Sequence, residues 1–477
     1  VSTRAVQTLV RPNTYLDSLT LLRVSASVAG LPRVLDASLV MGTPLNLEVL
    51  RESGLLADSV SAGPNDLVLA VRAEDPAAAE AALQEAERLL AADRGRRNEV
   101  GTSGEEPPRS LRGAHRRAPD ATLAVISVPG PFAAAEAHQA LADGLHVFLF
   151  SDNVALEDEI ALKQRASAAG LLVMGPDCGT TIINGVGLGF ANQVRRGNVG
   201  LVGASGTGLQ EVSVLLHQAG LGVSHAIGTG SRDLHARVGG PTTLQALRLL
   251  AEDPTTTSIV LVSKPPAAEV AERILHAAAE TGKPVIACLL GVQLEPPAGV
   301  RLAQTLAEAA SLVAGQPTAP ARGAPASVSG SLVAGLFCGG TLAQEADLIL
   351  GDVPHTVEDF GEDRYTQGRL HPMLDPTLRN HAILGAAARP EVRAVLLDVI
   401  LGHGAHPDPA GVVAPTIRQA LQQRPELQVL VHLLGTDLDP QPLAAQAEQL
   451  RAAGADLYPS NAAAAHAART FDATSPS

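Results

Sequence analysis

The stretch G-L-V-G-A-S-G-T-G-L-Q-E, Gly200 to Glu211, carries three signals in succession. Val199, Leu201 and Val202 read as a buried strand, Gly203 to Gly208 as a loop of small residues, and Val212, Leu215 and Leu216 as one face of a helix. Strand, small-residue loop and helix together build an anion site. Glycine lets the backbone approach closely, and the first N–H groups of a helix have no acceptor within it. Ser205 and Thr207 add hydroxyls. The same order returns at Gly335 to Glu345 as G-L-F-C-G-G-T-L-A-Q-E, and both copies place Gly-Thr shortly before Gln-Glu. One Gly-rich loop is often only a turn; two matched loops imply two related α/β domains.

Composition narrows the rest. A chain of 477 residues has room for about three domains of 100–200 residues each. Hydrophobic residues make up 46 %, aromatic residues only 2 %, and tryptophan is absent. The interior must then be Ala, Val and Leu, which suits layered α/β domains. A net charge of −14 argues against a nucleic-acid-binding face. The basic cluster Arg94 to Arg117 falls in polar sequence and reads as a solvated run. The three cysteines, Cys178, Cys288 and Cys338, are too scattered for a disulfide framework or a zinc site. No signal pattern opens the chain and no apolar run reaches membrane-spanning length, so a cytoplasmic protein without membrane contact is expected.

Taken in order, residues 1–92 read as a small α+β module, ferredoxin-like or a similar split βαβ unit, closed by an Ala-rich helix over Asp75 to Ala92. Residues 93–118 read as a linker. Residues 119–196 alternate strands (Leu123 to Val128, Val147 to Phe150, Leu171 to Met174) with helices, a Rossmann-like parallel pattern. Residues 197–314 form a flavodoxin-like unit with strands at Val223 to Ile227, Ser258 to Val262 and Pro284 to Leu290. Residues 315–330 are a second linker, and 331–477 repeat the flavodoxin-like pattern.

Several of these segments carry a resemblance. V-P-G-P-F (Val128 to Phe132) and G-P-D-C-G (Gly175 to Gly179) resemble the second half of the CoA-binding domain of the succinyl-CoA ligase α subunit. Gly200 to Leu290 looks like that subunit's ligase domain, and 331–470 are similar to the C-terminal domain of the β subunit. With G-T-G-S-R-D-L, F-C-G-G-T-L-A-Q-E, H-P-M-L-D-P-T-L-R (His371 to Arg379) and G-T-D-L-D-P (Gly435 to Pro440), the arrangement resembles the FdrA family. That resemblance implies one subunit of an acyl-transfer enzyme using an acyl phosphate. The expected reaction is that of oxamate carbamoyltransferase, interconverting oxalurate plus phosphate with oxamate plus carbamoyl phosphate in allantoin breakdown. An acyl-CoA synthetase subunit and a non-catalytic CoA- or anion-binding scaffold are the rival readings. Phosphate or an acyl phosphate is the expected ligand, CoA the alternative. Partner subunits are expected, with a homo-oligomer as a further arrangement.

The departures from the ligases matter. They carry phosphate on a histidine after the ligase domain, whereas Gly291 to Ala314 contain no histidine. The nucleotide-holding strand and turn of the CoA domain and the ATP-grasp half have no counterpart, and Lys264 stands where the ligases place a glutamate. Carried over residue by residue, one phosphate-holding helix start is Ser205-Gly206-Thr207 and the one facing it lies near Gly402 to Gly404. Ser205, Thr207, Lys264 and His406 are the expected catalytic residues. Gly203, Gly206, Gly228, Gly230, Arg232, Gly339, Gly340, Thr341 and Arg379 join Gly402 and Gly404 as phosphate or substrate contacts. Each has a plainer reading beside it: Gly228 and Gly230 as turns, Arg232 paired with a neighbouring acid, and Cys178 and Cys338 as small packing residues. His403, His406, Asp408 and Asp398 tempt a metal assignment, but no helix-face histidine pair supports one and none is made.

Overall fold

The structure, a computed structural model, describes residues 5–14, 16, 18–57, 60–99, 108–316, 330–366 and 369–470. The chain divides into two compact units: Val1–Pro108 with Glu362–Leu378, and Arg109–Gly361 with Arg379–Ser477.

In the first unit β1 (Ala5–Arg11), α1 (Ser18–Ala29), β2 (Val34–Met41), α2 (Pro44–Glu52), β3 (Leu67–Ala73) and α3 (Pro76–Glu99) follow in order. The strands form an antiparallel sheet, β1-β3-β2, with Leu9 and Leu39 flanking Leu69. Leu67, Leu69, Val71 and the α3 alanines Ala79, Ala82 and Ala86 make its core. The helix expected to stop at Ala92 runs on to Glu99, into the stretch read as a linker.

The second unit opens with α4 (Leu111–Arg117), also within that expected linker. Ser110 Oγ caps it by accepting from Gly113 N, and Leu111 packs on the adjoining core, two local signals that outweigh the basic composition. Next come β4 (Leu123–Ile126), α5 (Gly130–Ala142), β5 (His146–Leu149), α6 (Leu156–Ala169) and β6 (Val173–Met174), a parallel sheet in the order β4-β5-β6. α6 stops at Gly170, whose φ of 69° is cheap only for glycine.

A hairpin, β7 (Thr180–Ile183) and β8 (Val186–Gly189), was not expected. It turns at Asn184-Gly185, both at positive φ, the dipeptide that favours such turns. β7 pairs antiparallel with β10 (Val223–Gly228), so residues 180–189 extend the next sheet across the border expected at 196. That sheet also takes β9 (Arg196–Ala204), β11 (Ser258–Ser263), β12 (Val285–Leu289) and β13 (Val300–Leu302), in the order β13-β12-β11-β9-β10-β7-β8. Its helices are α7 (Gly206–Gln218), α8 (Pro241–Glu252), α9 (Ala268–Ala279) and α10 (Leu306–Ala314).

The last sheet, β15-β14-β16-β17-β18, is parallel throughout. Its elements are β14 (Leu332–Phe337), α11 (Gly340–Leu350), β15 (His355–Asp359), α13 (Thr377–Ala388), β16 (Val392–Ile400), α14 (Pro409–Gln423), β17 (Gln428–Leu434), α15 (Leu443–Ala452), β18 (Asp456–Tyr458) and α16 (Asn461–Arg469), while α12 (Asp363–Thr366) falls in the first unit. Every residue of β16 is buried, as a central parallel strand covered on both faces must be. α7 packs on α10, α11 packs on α16, and α7 meets α11. This pairing brings the two matched loops together. The expected linker 315–330 lies, apart from its ends, outside the described residues. Among the described residues, no helix is long and apolar enough to cross a membrane.

Candidate functional site

β9 delivers the first loop. Ser205, extended at φ −166°, caps α7 by accepting from Gly208 N at 2.9 Å. Gly203 and Gly208 leave no room for a side chain: a Cβ at Gly203 would lie 3.0 Å from the Val262 carbonyl oxygen, and one at Gly208 would lie 2.7 Å from Val262 Cγ1. The strand neighbours, and not only the turn, require these glycines.

β14 delivers the second loop, and it meets the first. Ser205 Oγ lies 2.7 Å from Thr341 Oγ1. A Cβ at Gly339 would fall 2.9 Å from Thr207 Cγ2, so Thr207 is packed on the second loop's backbone. The N–H groups of Gly206 and Thr207 on α7, and of Gly340 and Thr341 on α11, find no acceptor among the described residues. Two positive helix ends thus converge on one spot. Lys264, just past the end of β11, reaches it too: a Cβ at Gly340 would lie 2.4 Å from Lys264 Nζ and 2.3 Å from Asp359 Oδ2.

The resemblance had placed the facing helix start near Gly402 to Gly404; the chain puts Gly339-Gly340-Thr341 there. Gly402 and Gly404 back onto the segment before β9 instead. Gly402 adopts φ 114° with the Ala191 carbonyl oxygen 2.7 Å from where a Cβ would stand, and His403 exchanges backbone hydrogen bonds with Ala191. His406 does not join the site through any hydrogen bond. Its Nδ1 accepts from Asp408 N in its own loop, and its carbonyl accepts from Gln441 Nε2.

Both arginines expected to hold substrate are engaged in the fold. Arg379, 3 % exposed, donates from one Nη to Asp398 Oδ1 and to the Asp398 carbonyl, each at 2.7 Å. Asp398 also accepts from Cys338 N at 2.9 Å and Gly339 N at 2.8 Å. A carboxylate of the chain itself therefore fills the rear of the second loop, on the Cys338 and Gly339 N–H groups. Burial and the nearby Asp398 push the Cys338 thiol well up, which leaves no nucleophile there. Burial likewise pushes Cys178 up to about 12.

Arg232 donates to Glu159 Oε2 at 2.9 Å and to the Val154 carbonyl at 2.7 Å. Glu159 also pairs with Lys163, which reaches Asp233 Oδ1 at 2.7 Å and the Thr229 carbonyl at 2.9 Å. Glu159, Lys163 and Asp233 are at most 1 % exposed. This network holds the Gly228–Asp233 loop from behind. Gly228 and Gly230 turn and pack: a Cβ at Gly228 would lie 2.2 Å from the Thr180 carbonyl oxygen, and Gly230 has φ 89°.

Asp359, Glu159 and Lys163 were not read as functional or structural partners from the sequence, and Asp398 was weighed only as a metal ligand. Asp439 of G-T-D-L-D-P was not singled out either; it accepts from Asn192 Nδ2 and Gln193 N and ties the loop after β17 to the segment before β9. Apart from Glu159 and Lys163, four residues apart on α6, spacing offered no signal, since the partners lie in different elements. Among the described residues, no three His, Cys, Asp or Glu side chains gather as a metal site. His403, His406, Asp398 and Asp408 are dispersed: Asp408 caps α14 by accepting from Gly411 N, and Asp398 serves the second loop.

Comparison with known proteins follows these segments. Residues 4–108 match the model of an AllF, heavy metal-associated domain, 194–290 that of a CoA binding domain, and 336–471 that of CoA-ligase. The CoA-binding match falls on the seven-stranded sheet, one segment beyond residues 119–196. The metal named for the first domain does not fit this chain. Residues 4–108 contain neither cysteine nor histidine, and their one thioether, Met41, is buried in the core.

The Archaeoglobus fulgidus succinate–CoA ligase [ADP-forming] subunit alpha 2 is 32 % identical over 39 % of this chain and 64 % of its own length. The apo dinucleotide-forming acetyl-coenzyme A synthetase 1 of Ca. Korarchaeum cryptofilum is 17 % identical, over 73 % of this chain and 82 % of that one, at a TM-score of 0.31. The Escherichia coli "Uncharacterized protein YahF" is 40 % identical over 98 % of both chains. Across its whole length, small N-terminal domain and fused ligase-type domains included, the chain belongs to the YahF family, whose core is of the CoA-ligase type.

Proposed function

We propose that the chain is the phosphate-handling part of an acyl-transfer enzyme of the acyl-CoA-ligase type, and that its phosphate arrives on the substrate as an acyl phosphate. The observation that carries this is the meeting of two helix starts, with Ser205 Oγ 2.7 Å from Thr341 Oγ1 and Lys264 beside Gly340. Four backbone N–H groups and one ammonium suit a phosphoryl group, whose transfer chemistry depends on positioning and charge stabilisation. In the reaction a nucleophile attacks the acyl carbon, the bond from that carbon to the phosphate oxygen breaks, and phosphate leaves with the electron pair while the nucleophile gives up its proton. Lys264 and the helix ends neutralise the charge growing on the leaving phosphate.

The lack of any histidine in Gly291–Ala314 favours a direct transfer over a phosphohistidine relay, and with it the narrower FdrA-type reading. There the acyl group is carbamoyl, the acceptor oxamate, and partner subunits complete the enzyme. CoA is the rival ligand. The loops after β4 and β5, Val128–Pro131 and Ser151–Val154, carry no cation for a pyrophosphate. They also close on each other, since a Cβ at Gly130 would lie 2.4 Å from the Asp152 and Asn153 carbonyl oxygens.

Thermal unfolding with phosphate, carbamoyl phosphate, oxamate and CoA added separately tests this. A ligand at 100 times its Kd adds about 2.7 kcal/mol. Phosphate or carbamoyl phosphate is expected to raise Tm, and Ser205→Ala/Thr207→Ala to abolish that rise. Loss of the Ser205 cap itself costs about 1 kcal/mol, so the ligand-dependent difference is the quantity to read. A rise with CoA alone overturns the acyl-phosphate reading in favour of a CoA ligase.

A further inference from the structure

The two matched stretches share more than their loops. Glu211 and Glu345 stand at the same position of α7 and α11, each five residues after the glycine that opens its helix. Both are buried, at 0 % and 1 % exposure, and each reaches across to the other α/β segment. Glu211 Oε1 accepts from Asn461 N at 3.2 Å, at the first turn of α16. Glu345 Oε1 accepts from Leu306 N at 2.7 Å, at the first turn of α10. The caps are thus crossed: the helix that starts at one anion loop anchors a helix of the opposite sheet. Asn461 links them, since its Nδ2 donates to Glu345 Oε2 at 2.8 Å and to the Leu342 carbonyl at 2.9 Å. His432 on β17 closes the cluster with Nε2 2.6 Å from Glu211 Oε2.

We propose that Glu211 and Glu345 are positioning residues that set the approach of α7 and α11, and that proton uptake at Glu345 is linked to anion binding between those helices. The inference rests on the shared phosphate site proposed above.

The groups facing Glu345 come from each neighbouring element. α7 contributes Glu211, β17 His432, α16 the uncharged Asn461, and α10 the Leu306 N–H with Glu308 close by; β12 contributes the Cys288 thiol, which feels both Glu345 and Glu308. On its own helix, Asp347 is turned to His355. Burial, aided by the charge of Glu211, pushes Glu345 up to about 7, against the pull of Asn461 and Leu306. Burial works against a charge on His432, yet the adjacent Glu211 carboxylate outweighs it and holds that pKa above its ordinary value. One carboxylate of the crossed pair is therefore ion-paired, and burial holds the pKa of the other up at about 7.

The sign follows. A glutamate whose pKa is raised on folding binds its proton more tightly in the folded chain, so its contribution to stability falls as pH rises from the ordinary carboxylate range through about 7. An anion at the start of α11, five residues before Glu345 on the same helix, adds negative charge near that carboxyl and favours its protonated form. By reciprocity, protonation tightens anion binding.

The test uses sulfate, which does not itself titrate in this range, on the full chain. Sulfate affinity is expected to fall about fivefold between pH 6 and pH 8, with Glu345→Gln holding most of the pH 6 affinity at pH 8. The titration of His432 persists in that variant, so the two pH curves are compared with each other. Calorimetry of the unmodified chain at pH 7, in two buffers of different ionisation enthalpy, should show fractional proton uptake on sulfate binding. Superimposable pH curves for the two proteins, or binding without proton uptake, overturn the linkage. Failure of the unmodified chain to bind sulfate at either pH overturns the shared anion site, and the linkage falls with it.

Discussion

Asp398→Ala is expected to cost about 3–5 kcal/mol of stability, the range for removing one partner of a buried ion pair. The side chain is fully buried and serves four donors: Arg379 Nη at 2.7 Å, Cys338 N at 2.9 Å, Gly339 N at 2.8 Å and Cys338 Sγ at 3.1 Å. Alanine leaves a 3 %-exposed guanidinium without its counter-charge and frees the two N–H groups that pin the second loop. Asp398→Asn keeps acceptor capacity for part of this set and should cost less. Denaturant midpoints of the three proteins measure the order. A loss below about 1 kcal/mol for alanine would place Arg379 in a solvated setting and contradict the pairing.

Lys163→Ala is expected to be similarly damaging, at about 3–5 kcal/mol. Its ammonium lies between Glu159, at 2.9 Å, and Asp233, at 2.7 Å, with all three side chains shielded from solvent. Asp233 in turn accepts from Thr243 N at 2.9 Å and Thr243 Oγ1 at 2.7 Å, which fixes the start of α8. Without the lysine two buried carboxylates face each other with only Arg232, itself partly exposed, to offset them. The variant should therefore lose stability most steeply as pH rises and both acids ionise. A loss that is flat from pH 5 to pH 8 would contradict that account.

What the sequence revealed and what it hid follow from the range of the forces involved. The loops at Ser205 and Thr341 were legible because strand, small residues and helix are consecutive in the chain. Their mutual contact was not, since nothing local says which loop faces which. Transfer from the ligases pointed to Gly402 and Gly404, which pack against Ala191 and Phe190 instead. Arg232 and Arg379 read as free cations because their acids, Glu159 and Asp398, sit in distant elements. β15 was overlooked because H-T-V-E-D lacks the apolar run that marked the other strands, and it lies at the sheet edge. The β7–β8 hairpin had a usable local signal, the Asn184-Gly185 dipeptide between apolar residues.

The central claim is that one anion sits between the starts of α7 and α11. The most direct measurement is calorimetric titration of inorganic phosphate into the unmodified chain and into Gly340→Ala. A Cβ there would press on Asp359 Oδ2 and on Lys264 Nζ, the far end of a flexible side chain, while alanine at a helix position does not weaken the helix. The account predicts that Gly340→Ala keeps its Tm and loses phosphate binding at least tenfold, about 1.4 kcal/mol. Undiminished phosphate binding by Gly340→Ala would contradict it.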